Sequence, residues 1–471
     1  MPLHNSHNRG NRGSVLVGIL IALILFLLAA NALVIWLCVQ VGSQPEPVPQ
    51  PTTVATEPPT EPPTTETTAP PTMPEPEHVV STATVLSTGD LLMHMPVVNT
   101  CLVNGSYNFD SIFRYANEYI SAADYAVANL ETTLCGTDNG FNYSGYPNFN
   151  CPDAIVDGAR DAGFDMLLTA NNHSYDTTLV GYKRTLEVTR AAGLETLGTY
   201  LSADEQKWTI VEVNDIKIGM LCYTYADALG PKGNPRLNLN SEIAEADLCN
   251  YFTYKNLPAF YEEVGQYLEE MKAAGAEAIM IYLHWGVEYQ LSPNENQTSM
   301  AQQLCDMGID VIVGGHPHVV QPMDLLESTL DPEHKTVILY SMGNAVSNQR
   351  SHMDSFRNGY SEDGVLFSVT FSKYSDGTVY LEDVDLMPTW VNLNSNNGSR
   401  EYNIVPLDNS IREEWREKFN MTENEFNSAQ RSYDRTQGLI ADGLTKSKDY
   451  LSQQKQQREA DYLAQAESMM G

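Results

Sequence analysis

Short apolar runs alternate with stretches of helical periodicity from about residue 82 to residue 386. The apolar runs are rich in aliphatic and aromatic residues and are followed by Gly, Asn, Asp or His, which is the pattern of β-strands. The predicted strands are 82–87, 124–129, 164–170, 209–213, 216–223, 276–283, 310–314, 336–341, 364–371 and 378–386. Two pairs of these runs flank short turns, at Asn214-Asp215 and at Ser375-Asp376-Gly377, and predict antiparallel hairpins.

Helical patterns lie between several of the predicted strands, at residues 153–162, 178–192, 258–274 and 297–307. Strands that alternate with helices are typical of an α/β sheet, and the hairpins add antiparallel strands. We therefore expect an α/β fold in which two packed mixed sheets lie between helical layers.

The N-terminal region predicts a membrane anchor. Residues 15–39 contain no charged side chain, and a helix of this length can span a hydrocarbon core of roughly 30 Å. A cleaved signal peptide is the alternative, but its apolar region is only about 7–15 residues long. Arg9 and Arg12 precede the run, and no Lys or Arg follows until Arg114. The positive-inside rule then places residues 1–14 in the cytoplasm and the rest of the chain outside.

Composition divides the remainder of the chain. Residues 44–78 consist almost entirely of Pro, Thr, Glu and Gln and include 12 of the 25 prolines, so 40–80 is predicted to be a disordered, extended stalk that holds a domain away from the membrane. Residues 81–408 form the predicted globular domain. Residues 409–471 are rich in polar residues and predict a peripheral helical tail with frayed ends.

Charge and cysteine content limit the classes of function. The formal net charge is −33, so the basic footprint of a nucleic-acid-binding protein is absent from the sequence, and direct docking on anionic lipid is disfavoured. Six cysteines lie beyond the predicted anchor with no CxxC spacing, which gives no zinc-ribbon signal. Cys135 and Cys151 flank a Gly/Asn/Tyr-rich loop and either form a disulfide or are buried free thiols.

Polar residues with the chemistry of metal ligands follow the predicted strands. They are Asp90, Asn129, Glu131, Asn172, His173, His284, His316 and His318, with His94 close behind Asp90. Because the carboxyl ends of strands in an open α/β sheet converge on one crevice, these side chains are expected to meet there. Each position also has a purely structural interpretation: Asp90 as a cap, Asn172 as a turn residue, His284 as a core imidazole.

The segment His316-Pro317-His318 is harder to explain structurally. In extended backbone, side chains two residues apart point to the same side, so both imidazoles are expected to face one site. Pro317 fixes its φ and stiffens the pair. The combination of carboxylate, amide and imidazole groups suits Mn²⁺, Fe or Zn²⁺, and two such ions would activate a water against a phosphoryl or carbonyl group. Either His173 or His94 could then serve as the general acid.

Six motifs in order resemble one family. They are STGD (87–90), ANLET (128–132), TANNHSYD (169–176), LHWGVEY (283–289), GGHPHVVQP (314–322) and YSMGN (340–344). Together they resemble the CapA family of capsule, or poly-γ-glutamate, synthesis proteins, which have a calcineurin-like metallophosphatase fold. The resemblance covers roughly residues 82–392 and implies a four-layer αββα sandwich with a two-metal centre at the strand ends.

The resemblance also assigns roles to residues. It implies six metal ligands, namely Asp90, Glu131, Asn172, His284, His316 and His318. It implies that His173 is a general acid or phosphate-binding residue, and that the motif residues Asn129, Asp176, Glu288 and Asn344 support the site. Two departures stand out: the usual Asp-x-His opening is missing, and Glu131 stands where an aspartate bridge is typical.

Two functions from different classes remain open at the level of sequence. The first is a metal-dependent enzyme outside the membrane that acts on a phosphorylated or amide-linked envelope substrate, such as an anionic polymer. The second is a non-catalytic accessory that binds the polymer or the membrane subunits of a polymer synthase. An anchored protein with a vestigial site is the third interpretation.

Overall fold

Strands and helices contribute similar numbers of residues to the computed structural model, which describes residues 78–238, 242–394 and 400–470. Numbered in chain order, the strands are β1 (Val79–Leu91), β2 (Leu102–Val103), β3 (Ser106–Tyr107), β4 (Tyr125–Leu130), β5 (Met166–Leu168), β6 (Glu195–Leu197), β7 (Thr209–Val213), β8 (Ile216–Tyr225), β9 (Ala228–Leu229), β10 (Pro235–Arg236), β11 (Tyr251–Phe252), β12 (Ala278–His284), β13 (Val311–Gly315), β14 (Val320–Glu327), β15 (Lys335–Met342), β16 (Asn344–Val346), β17 (Asp363–Tyr374), β18 (Val379–Asn394) and β19 (Glu401–Pro406).

The helices lie mostly between strands. They are α1 (Met95–Thr100), α2 (Asp110–Phe113), α3 (Asn117–Ile120), α4 (Ala154–Ala162), α5 (Thr178–Ala191), α6 (Leu257–Ala273), α7 (Glu295–Asp306), α8 (Trp415–Lys418) and α9 (Glu423–Met470). Short 3₁₀ turns occupy Ala246–Leu248, Asp354–Phe356, Tyr360–Glu362 and Asn409–Glu414.

Two large mixed sheets organise these strands. The first has the order β19-β18-β17-β1-β4-β5-β6, with β16 beside the end of β1. The second has the order β11-β8-β12-β13-β15-β14, with β7 also paired to β8. Both sheets are parallel near the site, along β1-β4-β5 and along β8-β12-β13-β15, and antiparallel towards an edge. The parallel strands therefore deliver their carboxyl ends to one region.

Side chains that point alternately to the two faces of each central strand explain how the layers pack. In β12, Met280 and Tyr282 point into a core shared by both sheets, while Ile279 and Ile281 point into a second core with α6 and α7. The first sheet packs its other face against α1 to α4 in a third core. Because both faces of each central strand are covered, these strands read as nearly continuous apolar runs. The predicted α/β class is confirmed.

Most predicted elements are present within one to three residues of their predicted bounds. Both hairpins form, as β7–β8 and β17–β18, and Asn214 and Asp215 adopt the positive φ angles that a tight hairpin turn requires. The missed strands include β14, whose Pro322 argued against a strand. It lies at the edge of the second sheet, where a missing N–H donor is tolerated.

The C-terminal tail differs from its prediction. Helix α9 runs for 48 residues and is not a peripheral appendage. It packs against β14 of one sheet and β18 of the other, and its Ile440 and Leu451 join the core between the sheets. The helix was predicted, but its peripheral position was wrong. A few widely spaced apolar residues on a polar helix suffice to pack one side of that helix against the sheets.

The structure decides between the two alternatives left open for Cys135 and Cys151. Cys135 and Cys151 are both buried free thiols. Hydrogen bonds from Asn150 hold the loop between them instead: its Oδ1 accepts from the Cys135 N–H at 2.8 Å, and its Nδ2 donates to Gly136 O at 3.0 Å.

The predicted cytoplasmic segment 1–14, the anchor 15–39 and all but the last three residues of the stalk 40–80 lie outside the described residues. Strand β1 begins at Val79, two residues inside the predicted stalk. Within the described part of the chain, no helix combines the length and apolarity needed to cross a bilayer.

Candidate metal centre

The predicted ligands meet where the two sheets present their strand ends. Asp90 lies near the end of β1, Glu131 just after β4, and His284 closes β12. All three are at most 4% exposed. Close backbone contact at the end of β1 requires glycine, because a Cβ on Gly89 would lie 1.9 Å from the carbonyl oxygen of Gly343.

Three overlapping groups of side chains have the spacing of metal ligands. They are Asp90/Glu131/His318, Glu131/His284/His316 and Glu288/His316/His318, and within each group the ligand atoms lie within 4.8 Å of one another. The first two groups are wholly buried and share Glu131, whereas Glu288 is exposed. A carboxylate common to two groups has the position of a bridge between two ions.

Two buried polar atoms at this point lack a partner. Glu131 Oε1 and His316 Nδ1 make no hydrogen bond within the described chain. Glu131 Oε1 lies 3.6 Å from His284 Nε2 and 3.8 Å from His318 Nε2. An unsatisfied buried polar atom costs about 1–3 kcal/mol, so two of them beside the imidazoles of His284 and His318 fit a site built to hold a cation.

Electrostatics agree with this interpretation. Burial, and then the nearby Asp90 carboxylate, raise the pKa of Glu131 well above its usual value. Burial, followed by the neighbouring imidazoles, lowers the pKa values of His284 and His316 well below the usual value. Neutral imidazoles have the lone pairs that a metal needs.

His318 is held in one tautomer. Its Nδ1 lies 3.1 Å from Asp90 Oδ2 and 3.1 Å from Asn344 Oδ1. Because both partners are acceptors, Nδ1 carries the proton, and Nε2 keeps its lone pair on the side of Glu131. A partner that fixes ring and tautomer in this way is typical of metal-binding histidines. Asn344 thus holds the ring of His318.

An amide network positions Asp90. Asn129 Nδ2 donates to Asp90 Oδ1 at 2.7 Å, and Asn129 Oδ1 accepts from Asn171 Nδ2 at 3.0 Å. Asn172, one residue further on, has its Oδ1 2.8 Å from His284 Nε2. These contacts join the ends of β1, β4, β5 and β12 into one buried polar cluster.

His173 and Asp176 form a pair at the rim of this cluster. Asp176 Oδ2 lies 2.7 Å from His173 Nδ1, and Asn238 Nδ2 donates to Asp176 Oδ1 at 3.0 Å. The ring of Phe149 packs edge-on against His173, with the ring centroids 4.6 Å apart. The carboxylate fixes the ring and leaves Nε2 as the nitrogen for a ligand.

His94 packs against the same phenylalanine. Its ring centroid is 5.3 Å from that of Phe149, and its Nδ1 accepts the Asn348 N–H at 3.3 Å. Burial, with a smaller contribution from His318, lowers the pKa of His94 to about 4. His94 is therefore a neutral imidazole near pH 7, with its proton on Nε2.

The predicted backbone of the two histidines in 316–318 is wrong. His316 has φ 93° and His318 has φ 56°, so both adopt left-handed backbone and neither is extended. Such a conformation costs about 1–3 kcal/mol at a non-glycine residue and concentrates at functional sites. The two rings still face each other, with their centroids 5.9 Å apart, but a strained turn and not strand alternation brings them together.

Sequence reasoning missed several residues of the site. Asn171 holds Asn129 and also accepts the N–H of His173; its place directly before Asn172 was a usable signal. Tyr225 ends β8, and its ring centroid lies 4.7 Å from that of His316. An aromatic residue at a strand end gives no chemical signal of its own, so Tyr225 could be found only from the fold.

The segment that contains these residues is similar to known proteins. Residues 84–349, more than half of the chain, match the model of the family described as bacterial capsule synthesis protein PGA_cap. The matched range contains every residue of the polar cluster described above.

Two curated relatives are similar over this region. The chain is 27% identical over 273 residues to a capsule biosynthesis protein CapA of Bacillus anthracis, covering 56% of this chain and 60% of the relative. It is 29% identical over 266 residues to a PGA biosynthesis protein CapA of Bacillus subtilis strain 168, covering 55% and 62%. The chain thus spans about three fifths of the length of these relatives.

A solved structure of the Thermus thermophilus sulfate thiohydrolase SoxB, in complex with glycerol, matches 72% of this chain and 60% of its own. The sequence identity is 13% and the TM-score is 0.36. At that score nothing about this chain follows from the likeness.

Proposed function

The chain belongs to the family of bacterial capsule synthesis proteins, and we propose that it acts in the biosynthesis or export of a capsule polymer of the poly-γ-glutamate type through a metal-dependent, hydrolase-like site. The observation that carries this proposal is the pair of buried acceptors without partners, Glu131 Oε1 and His316 Nδ1, beside two further imidazoles.

The site fits two divalent ions. Asp90, Glu131 and His318 would hold one, and Glu131, His284 and His316 the other, with Glu131 shared. Asn172 Oδ1, next to His284, would complete the second set. Oxygen and imidazole donors without thiolates suit Mn²⁺, Fe or Zn²⁺. When bound, such ions polarise a phosphoryl or carbonyl oxygen and lower the pKa of a water. The layered sheets are proposed to be of the metallophosphatase type.

Other side chains would handle the proton and the substrate. His173, oriented by Asp176, is placed to bind an oxyanion or to give a proton to the leaving group. His94 is the weaker candidate for general acid: with a pKa of about 4, the only proton it offers near pH 7 is that of a neutral imidazole. Asn129 and Asn344 keep the carboxylate and imidazole ligands in place.

Location and partners are part of the proposal. Residues 15–39 would anchor the chain in the cell membrane by a single pass, and residues 40–80 would carry the domain outwards. The expected partners are the membrane subunits of a polymer synthase and an anionic envelope polymer. The formal charge of −33 argues against nucleic acid as a partner.

A non-catalytic accessory role is the second candidate. Leu92, two residues after Asp90, is buried where the metallophosphatase opening usually has a histidine. Loss of one such residue leaves a site that can bind metal without full hydrolytic chemistry.

Complementation in cells separates the two roles. A strain that lacks the native protein would receive the full chain, Glu131→Gln or the control Glu269→Gln, an exposed carboxylate on α6. The enzyme proposal expects polymer with the parent chain and the control, and none with Glu131→Gln at equal membrane levels. Full polymer production with Glu131→Gln would contradict the enzyme proposal and favour the accessory role.

A further inference from the structure

A polar cleft of about 590 Å³ opens beside the first sheet. Its walls include Asn99 and Thr100 at the end of α1, Asn348 and His352 after β16, and Arg400 and Tyr402 at β19. Arg400 and His352 are exposed, while Tyr402 is buried. The cleft therefore offers one permanent positive charge, an imidazole, and several amide and hydroxyl groups.

The charge of this cleft is unlike that of the whole chain. Aspartate and glutamate outnumber lysine and arginine by 60 to 27, yet among the described residues no carboxylate lines the cleft. The acids closest in sequence are engaged elsewhere: Glu401 pairs with Arg114 at 2.9 Å, and Asp354 pairs with Arg357 at 2.6 Å. The charge of Arg400 is left for a ligand.

Contacts connect the cleft to the metal centre. Asn348 lines the cleft, and its Oδ1 accepts the hydroxyl of Tyr402. The N–H of the same residue donates to His94 Nδ1, and His94 packs on Phe149, which packs on His173. The cleft is thus linked to His173 through Asn348, His94 and Phe149.

We propose that this cleft is an anion-binding subsite, in which Arg400 and His352 hold a carboxylate or phosphate group of an anionic chain whose neighbouring unit reaches the metal centre. Guanidinium pairs with either oxyanion through directed hydrogen bonds, and the amide and hydroxyl groups on the walls supply further donors. The inference rests on the proposed function, because it names the class of substrate that the same site would take.

Calorimetric titration of the full chain in detergent, stripped of metal with EDTA, tests the subsite apart from the metal centre. The probes are a γ-linked glutamate pentamer, the same pentamer with its carboxylates converted to amides, and inorganic phosphate. The variants are Arg400→Gln and Arg400→Lys. The control is Arg431→Gln, which removes the same charge from an exposed side chain on α9, outside the cleft. Metal content is measured separately on untreated samples.

The pentamer, phosphate or both are expected to bind the parent chain, and the probe that binds identifies the oxyanion. Arg400→Gln should weaken that binding about tenfold, as for loss of a charged hydrogen bond. Arg400→Lys should retain most of it, and Arg431→Gln should leave it unchanged. Equal loss with Arg431→Gln, equal binding of the amidated pentamer, or no binding of either anion at millimolar concentration would overturn the subsite. A parent chain without metal would overturn the proposed function alone.

Discussion

Glu131 is the residue on which the proposed metal centre depends most, because it belongs to both buried ligand groups. Its pKa is raised by burial and by Asp90, so without a cation the ionised form of this buried side chain is unfavourable beside a second carboxylate. A bound cation would reverse this cost. The side chain is thus unfavourable for stability alone, which is why a functional explanation is needed.

His94 gives a pH-dependent prediction. Its pKa is about 4 in the folded protein because of burial, against about 6.5 in an unfolded chain. The unfolded state therefore binds more protons below pH 6.5, and the free energy of unfolding falls as the pH drops. The contribution of His94 between pH 7 and pH 5 is about 2 kcal/mol.

The test compares the parent chain with His94→Gln, whose amide oxygen can still accept the Asn348 N–H. Urea unfolding at pH 7 and pH 5 should show a pH-dependent loss that is smaller in the variant by about 2 kcal/mol. Equal losses in the two proteins would mean that His94 is not buried as a neutral imidazole.

For individual residues, the sequence predicted which residue types lie together, but not the backbone conformation and contacts that hold them there. Asp90, Glu131, His284, His316 and His318 were named because ligand-type residues follow apolar strands. The left-handed backbone at His316 and His318 and the packing of Tyr225 against His316 were invisible, because they depend on neighbours distant in sequence.

Among the elements, α9 is attached to the sheets by a buried ion pair. Arg435 donates to Asp363 at the start of β17 at 2.6 Å and 2.8 Å, and Asp363 also accepts from Ser432. The side chain of Asp363 is only 2% exposed. The loop that precedes β17 includes Ser361, whose carbonyl accepts from Asn344 in the metal centre. The helix therefore braces the segment that orients His318.

We predict that Arg435→Gln lowers the free energy of unfolding by about 3 kcal/mol, since it leaves Asp363 buried without its charged partner. Lys448→Gln is the matched control on the same helix: its pair with Asp385 is exposed on both sides and should contribute less than about 1 kcal/mol. Urea denaturation measures both variants. Similar losses for the two would show that the pair with Asp363 has no special role.

Element type could be predicted wherever both faces of a strand are apolar, as in β4, β12 and β13. The prediction of element type failed where an element is stabilised by contacts with residues distant in sequence. Strand β16 is three residues long and exists because it pairs with the end of β1, and α9 is ordered because the two sheets offer it a surface. Neither has a strong local pattern, so tertiary packing decides both.

For the molecule as a whole, the segment that matches the family ends before the fold does. The match stops at residue 349, yet β17 pairs with β1 along most of its length, and β18 and β19 continue the same sheet. Residues beyond 349 also supply Phe367, Phe371 and Ile440 to the core between the sheets.

A chain that ends at residue 349 is therefore expected to be insoluble or unfolded, because it exposes the edge of β1 and a large apolar face. A chain that ends at residue 460 should stay folded, since most of the last turns of α9 are exposed. Circular dichroism and cooperative urea unfolding distinguish the two. A cooperative, soluble 349-residue chain would contradict the view that the C-terminal strands belong to the domain.

Mass spectrometry of the purified full chain, after growth with Mn²⁺, Fe and Zn²⁺ available, measures directly whether the site holds metal. We predict about two ions per chain, retained in Glu269→Gln and largely lost in Glu131→Gln, since one carboxylate serves both buried ligand groups. A parent chain without bound metal, or a Glu131→Gln chain with undiminished metal, would contradict this prediction.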